Sequence, residues 1–425
     1  MSAETPHRGK KKAANPILTA VEGWLSTNVP ENSADAEDEG ALTRTLLGDA
    51  PKRWTAYSPM ILLPSGSFTS PSWVKKLEQT TEAQKESLWT DILGQISRKS
   101  SEVFTHLAAN EGIPLQTSTP GATGQDNENV SQKQEENILR SPSGLKMLYG
   151  DFGPSKTMSS SREITNLDFE KALWVATKQN GIHQTWAPRW TMFSRGNVKE
   201  KARLLDFHDE PGSANTRKDL CHRIRPRSSL KGKWAVDLYG GIGYFVFSYA
   251  KLGLKILCWE LNPWSVEGLR RGAVRNGWSV KVVKGQDLES PTSELVAGEE
   301  TIIVFQEDNQ EAGKRVRELW GTELTPDICH VNCGLLPKSD GSWKTAWDMM
   351  SKSQYGWLHL HENVGVHDIE HRQKELQELF DNWSTEETGN RTALVEYVEL
   401  VKTFAPDVWH CVFDVYIKSS RNEDT

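Results

Sequence analysis

W-A-V-D-L-Y-G-G-I-G-Y-F, residues 234–245, sets the frame for the whole chain. An apolar run leads into Asp237, then into a turn carrying Gly240, Gly241 and Gly243, and an apolar helical stretch follows over residues 244–251. A strand, a tight turn and a helix start make the place where open α/β sheets hold a nucleotide-like ligand, because backbone approaches closely there and N–H groups point outward. The dinucleotide pattern G-x-G-x-x-G fails, since its last glycine falls on Val246. A plain structural corner is the alternative that this stretch alone leaves open.

The next elements narrow the choice. Residues 255–259 (K-I-L-C-W) spell a second buried strand that ends at Glu260, 23 residues past Asp237 (260 − 237). An acid at the end of the second strand, about 20 residues on, is placed to accept both ribose hydroxyls. A turn that asks only for close backbone approach, followed by such an acid, fits S-adenosylmethionine (SAM). Asn262 and Pro263 open a helix over 264–275, with proline in its first turn. Residues 280–283 form a third short strand, and Gly285, Gln286 and Asp287 after it are expected to flank adenine. The expected fold is α/β: a Rossmann-like, class I SAM-dependent methyltransferase-like C-terminal domain behind a smaller α+β N-terminal region.

Composition sets limits. The chain has 425 residues, enough for two or three domains, and a formal net charge of −7. Mean hydropathy is −0.58 and no apolar run approaches the roughly 18 residues of a membrane span. The N-terminus is polar and basic, without the apolar core of a secretory signal. Cys221, Cys258, Cys329, Cys333 and Cys411 form no C-x-x-C pair, so reduced buried thiols are expected and a metal site is not. A monomer in the cytoplasm is the expectation.

The organisation is uneven. Residues 1–50, with the basic run His7-Arg8-Gly9-Lys10-Lys11-Lys12, are expected to be a poorly ordered tail. Residues 51–115 are expected to engage RNA, with a strand at 60–63 and a helix over 72–93. Residues 116–140, rich in Gln, Ser, Thr, Asn and Glu, suggest a disordered insertion. Residues 145–205 suggest a middle α/β region, 206–232 a basic loop insertion, and 233–420 the SAM-binding domain. Residues 189–233 hold twelve Lys or Arg against five Asp or Glu, a local positive excess on an acidic chain. Such a patch suits phosphate-backbone contact; a solvated loop is the competing reading.

Further along, residues 327–331 spell the fourth strand, followed by Asn332-Cys333-Gly334-Leu335-Leu336-Pro337. That loop either orients the target base or ligand, or merely lines the pocket. Residues 357–361 form the next strand, with His359 and His361 on one face. His361 or Glu362 could accept a proton at its end; a hydrogen-bonded strand end is the alternative. Residues 394–402 and 408–417 pair as antiparallel strands that close the sheet.

Several motifs occur in one order: Y-G-D-F-G-P (149–154), F-S-R-G-N-x-x-E-K-x-R (193–203), D-L-Y-G-G-I-G-Y-F, W-E-L-N-P (259–263), V-N-C-G-L-L-P (331–337) and H-E-N-V (361–364). Together they resemble the eukaryotic tRNA wybutosine-synthesizing aminocarboxypropyltransferase family, which is related to the tRNA guanine-N1 methyltransferases. The resemblance spans residues 145–417 and is weaker over 54–110. It implies SAM as donor substrate and phenylalanine tRNA as partner. The implied reaction moves the 3-amino-3-carboxypropyl group to C7 of 4-demethylwyosine and releases methylthioadenosine. It also implies that Ser194 and Lys201 contact the methionine end of SAM, Glu260 the ribose, and Gln286 with Asp287 the adenine. Gln286 departs from the acid often found there, and residues 204–233 are a long departure. Asp237, Gly241 and Gly243 complete the cofactor set, Arg195, Lys199 and Arg203 are the RNA-contact candidates, and Asn332, His361 and Glu362 are the catalytic candidates. A guanine-N1 methyltransferase and a non-catalytic tRNA-binding subunit are the alternatives.

Overall fold

The computed structural model describes residues 14–28, 36–110, 116–117, 135–136, 145–155, 164–209, 226–387 and 390–419. The basic run at 7–12, most of the segment 116–140 and the middle of the basic loop lie outside these residues. The chain forms two compact units, residues 1–160 with 170–176, and residues 161–169 with 177–425.

The first unit begins with helices where a tail was expected. α1 (Pro16–Asn28) starts with Asn15 Oδ1 accepting from Ile17 N at 2.9 Å and with proline at its first position, a paired start signal. Its apolar side, Ile17, Val21, Trp24 and Leu25, is buried. α2 (Ala36–Asp49) follows. The expectation of an unstructured residue 1–50 region is therefore corrected for residues 16–28 and 36–49: spacing i, i+4, i+7, i+8 gives α1 an apolar stripe that needs a partner. β1 (Thr55–Tyr57) and β2 (Met60–Leu63) form a hairpin. The single helix expected over 72–93 is two, α3 (Pro71–Glu78) and α4 (Glu82–Ser97), because Thr81 and Gln84 make a capping box that restarts the chain. β3 (His106–Asn110) pairs in parallel with β2. β4 (Gln116–Thr117) and β5 (Glu135–Glu136) pair with each other, and β6 (Leu145–Tyr149) adds to β3. The sheet order is β1-β2-β3-β6. β6 thus belongs to this unit, so the expected middle region 145–205 is divided between the two units.

α5 (Asn166–Lys171) and the hairpin β7 (Val175–Gln179) with β8 (Ile182–Trp186) lead on to α6 (Val198–Leu205). Then come β9 (Trp234–Asp237), α7 (Val246–Lys251), β10 (Lys255–Trp259), α8 (Pro263–Arg275), β11 (Val280–Val283), α9 (Thr292–Val296), β12 (Ile302–Phe305), α10 (Ala312–Glu318), β13 (Ile328–Cys333), α11 (Trp343–Met349), β14 (Tyr355–Gly365), α12 (Ile369–Glu386), β15 (Arg391–Ala405) and β16 (Val408–Ser419). The sheet order is β11-β12-β10-β9-β13-β14-β16-β15. β11 through β14 run parallel, and β16 and β15 are antiparallel additions. The chain reverses direction of build between β9 and β13, which opens a crevice at their carboxyl ends.

β12 is a correction. It was absent from the sequence expectation, which made residues 327–331 the fourth strand; they lie in the fifth. Ile302, Ile303, Val304 and Phe305 are each 0 % exposed. A strand buried on both faces shows no alternation to betray it.

Under the sheet runs a polar chain. His359 Nδ1 bonds Asp414 Oδ1 (2.8 Å), His359 Nε2 meets His330 Nδ1 (2.9 Å), and His330 Nε2 meets His208 Nε2 (2.8 Å). An ionised Asp414 only accepts, so His359 carries its proton on Nδ1, His330 on Nδ1 and His208 on Nε2. His208 and Leu230 are buried, so both ends of the expected 206–232 loop are built into the fold.

Candidate functional site

The glycine turn forms because two of its residues take a left-handed backbone: Gly241 at φ +52° and Gly243 at φ +90°. A Cβ on Gly243 would sit 2.5 Å from the Phe247 ring. Gly241 N donates to Glu260 Oε2 (2.8 Å) and Asn262 N to Glu260 Oε1 (2.7 Å). The Asn262 side chain in turn caps α8 at Trp264 N. One carboxylate therefore ties the turn after β9 to the helix start after β10. Burial pushes its pKa up to about 7.

Asp237 ends β9 and is fully buried. Its Oδ1 accepts from Tyr239 N (3.1 Å) and from Asn332 Nδ2 (3.1 Å), while Oδ2 is buried without a partner among the described residues. Burial raises its pKa to about 6. Asn332 Oδ1 faces His361 Nε2 (3.1 Å), and His361 Nδ1 faces His410 Nε2 (2.9 Å). The structure thus brings Asp237, Asn332 and His361 together across β9, β13 and β14. It separates Glu362 from them: alternation turns it to the other face, where Arg372 Nε binds its Oε2 at 3.0 Å. His361, engaged at both ring nitrogens, and Glu362, held as an ion pair, are not placed as free bases.

On the other side of the turn, Tyr244 OH donates to Met192 O (2.6 Å) and accepts from Ser194 N (2.9 Å). Lys201 of α6 is buried against the rings of Tyr244 and Phe193. Its Nζ donates to Gln179 Oε1 (2.7 Å) and Gln184 Oε1 (2.8 Å), and no carboxylate pairs with it among the described residues. Burial lowers its pKa to about 8. Asn197 stands at the N-cap position of α6, but its side chain makes no capping bond.

Two site expectations are corrected. Gln286 and Asp287 are exposed after β11, at the rim of the sheet. The strand beside β10 is β12, with Trp259 paired to Phe305 and Glu260 N donating to Phe305 O. The loop adjoining Glu260 is therefore Gln306-Glu307-Asp308-Asn309, pinned by Asn309 Nδ2 to Leu238 O (2.8 Å) and by Glu307 to Trp259 Nε1 (3.1 Å). Sequence reasoning missed it with the strand before it; the acidic run after I-I-V-F was its one signal. Arg203 is the other correction. It lies inside the fold, held by Glu200 and Asp414, and is not on an RNA-facing surface. Arg195 and Lys199 are exposed, Lys199 bonding Glu399 at 2.7 Å.

Among the described residues, no helix is long and apolar enough to cross a membrane, and no group of three His, Cys, Asp or Glu could hold a metal ion.

No family model matches the chain. It is 36% identical over 366 residues to tRNA wybutosine-synthesizing protein 2 of Schizosaccharomyces pombe, covering 86% of this chain and 72% of that protein. The protein of the same name from Saccharomyces cerevisiae is 31% identical over 402 residues, covering 87% and 75%. Among solved structures, P. horikoshii TYW2 in complex with MeSAdo superposes with a TM-score of 0.51 at 16% identity, covering 95% of this chain and all of that one, which establishes the fold. With the SAM-type turn, the carboxylate after β10 and relatives above 30% identity over most of both lengths, the chain belongs to the tRNA wybutosine-synthesizing protein 2 family.

Proposed function

We propose that this chain transfers the 3-amino-3-carboxypropyl group of SAM to C7 of 4-demethylwyosine in phenylalanine tRNA, releasing methylthioadenosine. The carbon nucleophile forms a bond to Cγ of the methionine chain as the Cγ–S bond breaks. Sulfur keeps the electron pair and becomes a neutral thioether, and the proton on C7 passes to solvent water. The sulfonium is already a good leaving group, so the protein's task is to orient and desolvate.

The observation that carries this reading is Lys201. A buried ammonium with two amide acceptors, two aromatic faces and no carboxylate is a place for the carboxylate of the transferred group. Ser194 stands beside it through Tyr244. Glu260 would take the ribose hydroxyls, Gly241 and Gly243 would admit the nucleoside, and Asp237 with its unpartnered Oδ2 would complete the floor. The Asn332-to-Pro337 spacing, longer than the Asn-Leu-Pro loop of the methyltransferases, supports the same branch. Asn332 and His361 orient rather than take protons, and Arg195 and Lys199 would meet RNA phosphates. We further read the chain as a cytoplasmic monomer that works without a metal ion; the buried thiols of Cys258, Cys329, Cys333 and Cys411 suit a reducing compartment.

The adenine side follows from the sheet order. Asp308→Ala is expected to weaken SAM binding about tenfold, the worth of one charge-assisted hydrogen bond, and Asn309→Ala about threefold, the worth of a neutral one. The pair Gln286→Ala with Asp287→Ala is expected to leave it unchanged. Isothermal titration checks both, and the reverse pattern returns the adenine to the loop after β11.

The reading itself is tested by mass spectrometry of purified protein, SAM and phenylalanine tRNA bearing 4-demethylwyosine. Gain of an aminocarboxypropyl group with methylthioadenosine is expected. Methyl gain with S-adenosylhomocysteine, or tRNA binding with no product, overturns it.

A further inference from the structure

Three side chains line up across three strands at the ligand-bearing edge of the large sheet. Asn363 of β14 pairs with His410 of β16, and His410 pairs with Lys402 of β15. Directly opposed residues project to one face with Cβ atoms about 4.5–5.5 Å apart. Alternation on β14 puts Asn363 on the face of His359 and His361, one step nearer the edge. Its backbone N donates to Pro337 O (2.8 Å), so this position is tied to the loop that begins at Asn332.

Each member of the row has unused hydrogen-bonding capacity. Both polar atoms of the Asn363 side chain, Oδ1 and Nδ2, are buried without a partner, and so is His410 Nδ1. Lys402 Nζ donates to Ser194 Oγ at 3.1 Å and has no carboxylate beside it among the described residues. Native folds leave few buried polar atoms unpaired, and each calls for an explanation. Three of them on neighbouring residues near the carboxyl end of β14 leave hydrogen-bonding capacity that the fold itself does not use.

The polarity of the row is fixed by its inner end. Asn332 Nδ2 donates to Asp237, so Asn332 Oδ1 must accept from His361 Nε2–H. His361 Nδ1 then accepts from His410 Nε2–H, and His410 Nδ1 is left as a lone pair. Burial lowers the pKa of His410 to about 4, and Lys402 pushes it the same way, so the ring stays neutral and accepting. The groups facing it are Asn363, His361 and Lys402, from β14 and β15. The strip therefore offers an amide, which both donates and accepts, next to a bare acceptor.

Asn363 and His410 lie away from the nucleoside side of the donor pocket, while Lys402 reaches its proposed methionine end through Ser194. Glu260 and the loop after β12 sit on one side of β9, while β14 is two strand spacings to the other side, about 10 Å away. A flat heterocycle beyond the donor would present its edge there, and a purine-derived base carries carbonyl oxygen and ring nitrogens along that edge.

We propose that Asn363 and His410 form the element that reads the target nucleobase, Asn363 pairing with a donor–acceptor edge of the base and His410 Nδ1 accepting from a base N–H. Lys402 keeps His410 in its accepting form. Asn363 and His410 position the base; they do not carry the chemistry. The inference rests on the reading of the chain as a tRNA-modifying enzyme, but not on which carbon of SAM is transferred.

The test is a binding comparison, independent of turnover. Two phenylalanine tRNAs that differ only at the target position, one bearing 4-demethylwyosine and one guanosine, are titrated into full-length protein holding methylthioadenosine. Wild type is expected to prefer the tricyclic base by about tenfold or more, the worth of one two-point base contact. Asn363→Leu is expected to bring the two within about threefold, leaving guanosine-tRNA affinity and SAM affinity unchanged. Asn363→Asp keeps the size and removes the donor, and serves if the leucine variant melts early. An unchanged preference in a variant that melts like wild type overturns the proposal, as does a wild type with no preference. If the preference behaves as expected while mass spectrometry finds methyl transfer, the strip stands and the proposed reaction falls.

Discussion

Replacing Glu260 by glutamine weakens SAM binding at least tenfold and removes most of its rise with pH. Both carboxylate oxygens already accept a backbone N–H, from Gly241 and Asn262, and the carboxylate keeps accepting capacity for a ribose hydroxyl. Hydrogen bonds to a charged group are worth about 1.5–3 kcal/mol, one to two factors of ten in affinity. Burial is the largest influence on this group and raises its pKa to about 7, so the accepting form is gained as pH climbs through 7. Lys201 acts in the opposite sense: its amine, lowered by burial to about 8, loses its charge above that value. SAM affinity is therefore expected to peak between about 7 and 8. Glu260→Gln loses the rising limb and keeps the falling one, and Lys201→Met does the reverse. Isothermal titration across this range checks both, and a flat wild-type profile contradicts the ribose assignment. The unliganded protein follows its own rule. Glu260 and Asp237 have folded values raised above their unfolded ones, so their contribution to stability is complete below about 4 and is lost as pH rises through about 6 to 7.

Replacing Arg203 by methionine costs about 3–5 kcal/mol of stability, because it leaves two buried carboxylates without their cation. Glu200 is 0% and Asp414 1% exposed, and Arg203 holds both. Burial alone would raise the pKa of Asp414; the adjacent Arg203 charge and the His359 hydrogen bond overcome it and hold the group down to about 2. The stability this supplies is present above the unfolded value near 4 and is lost as pH falls through about 2. In the variant the melting temperature is expected to fall by roughly 6–15 °C. Adding Glu200→Gln and Asp414→Asn is expected to restore part of it, since no buried charge then remains unpaired. The salt dependence of tRNA binding should not change. A small thermal loss with a shallower salt slope would put Arg203 back on the RNA surface.

The contrast between Arg203 and Glu260 shows what the sequence could carry. Glu260 was legible as a site position because its place follows from the pattern: the end of a strand, a fixed distance past a glycine turn, where the structure has it tie that turn to α8. Arg203 was not, because a count of local charge cannot tell a solvated cation from one neutralised by Asp414, 211 residues away. The strands from β9 to β11 and the closing hairpin were legible from apolar runs and breakers. β12 was not, since four apolar residues fit a strand or a buried helix turn equally, and only pairing shows that it enters beside β10. That one omission put the adenine expectation on Gln286 and Asp287, while the loop that adjoins Glu260 is residues 306–309. α1 was legible in principle, with Asn15, Pro16 and the stripe of Ile17, Val21, Trp24 and Leu25, but polar sequence on either side hid it. The row of Asn363, His410 and Lys402 could not be read at all, because it depends on register between strands far apart in the chain.

β15, fifteen residues long, is an outer strand of an eight-stranded sheet and exposes Leu394, Leu400 and Phe404. Such an edge invites another chain to add a strand and begin an aggregate. Its pairing with β16 slips at Val395/Tyr397, Leu400/Lys402 and Thr403/Ala405, so no straight ladder runs longer than the stretch from Arg391 to Val395. Each irregularity twists and bends the strand, and an incoming strand finds no flat template to match. The opposite edge, β11, is only four residues long and carries Lys281. Both margins are thereby blunted against the addition of a further strand.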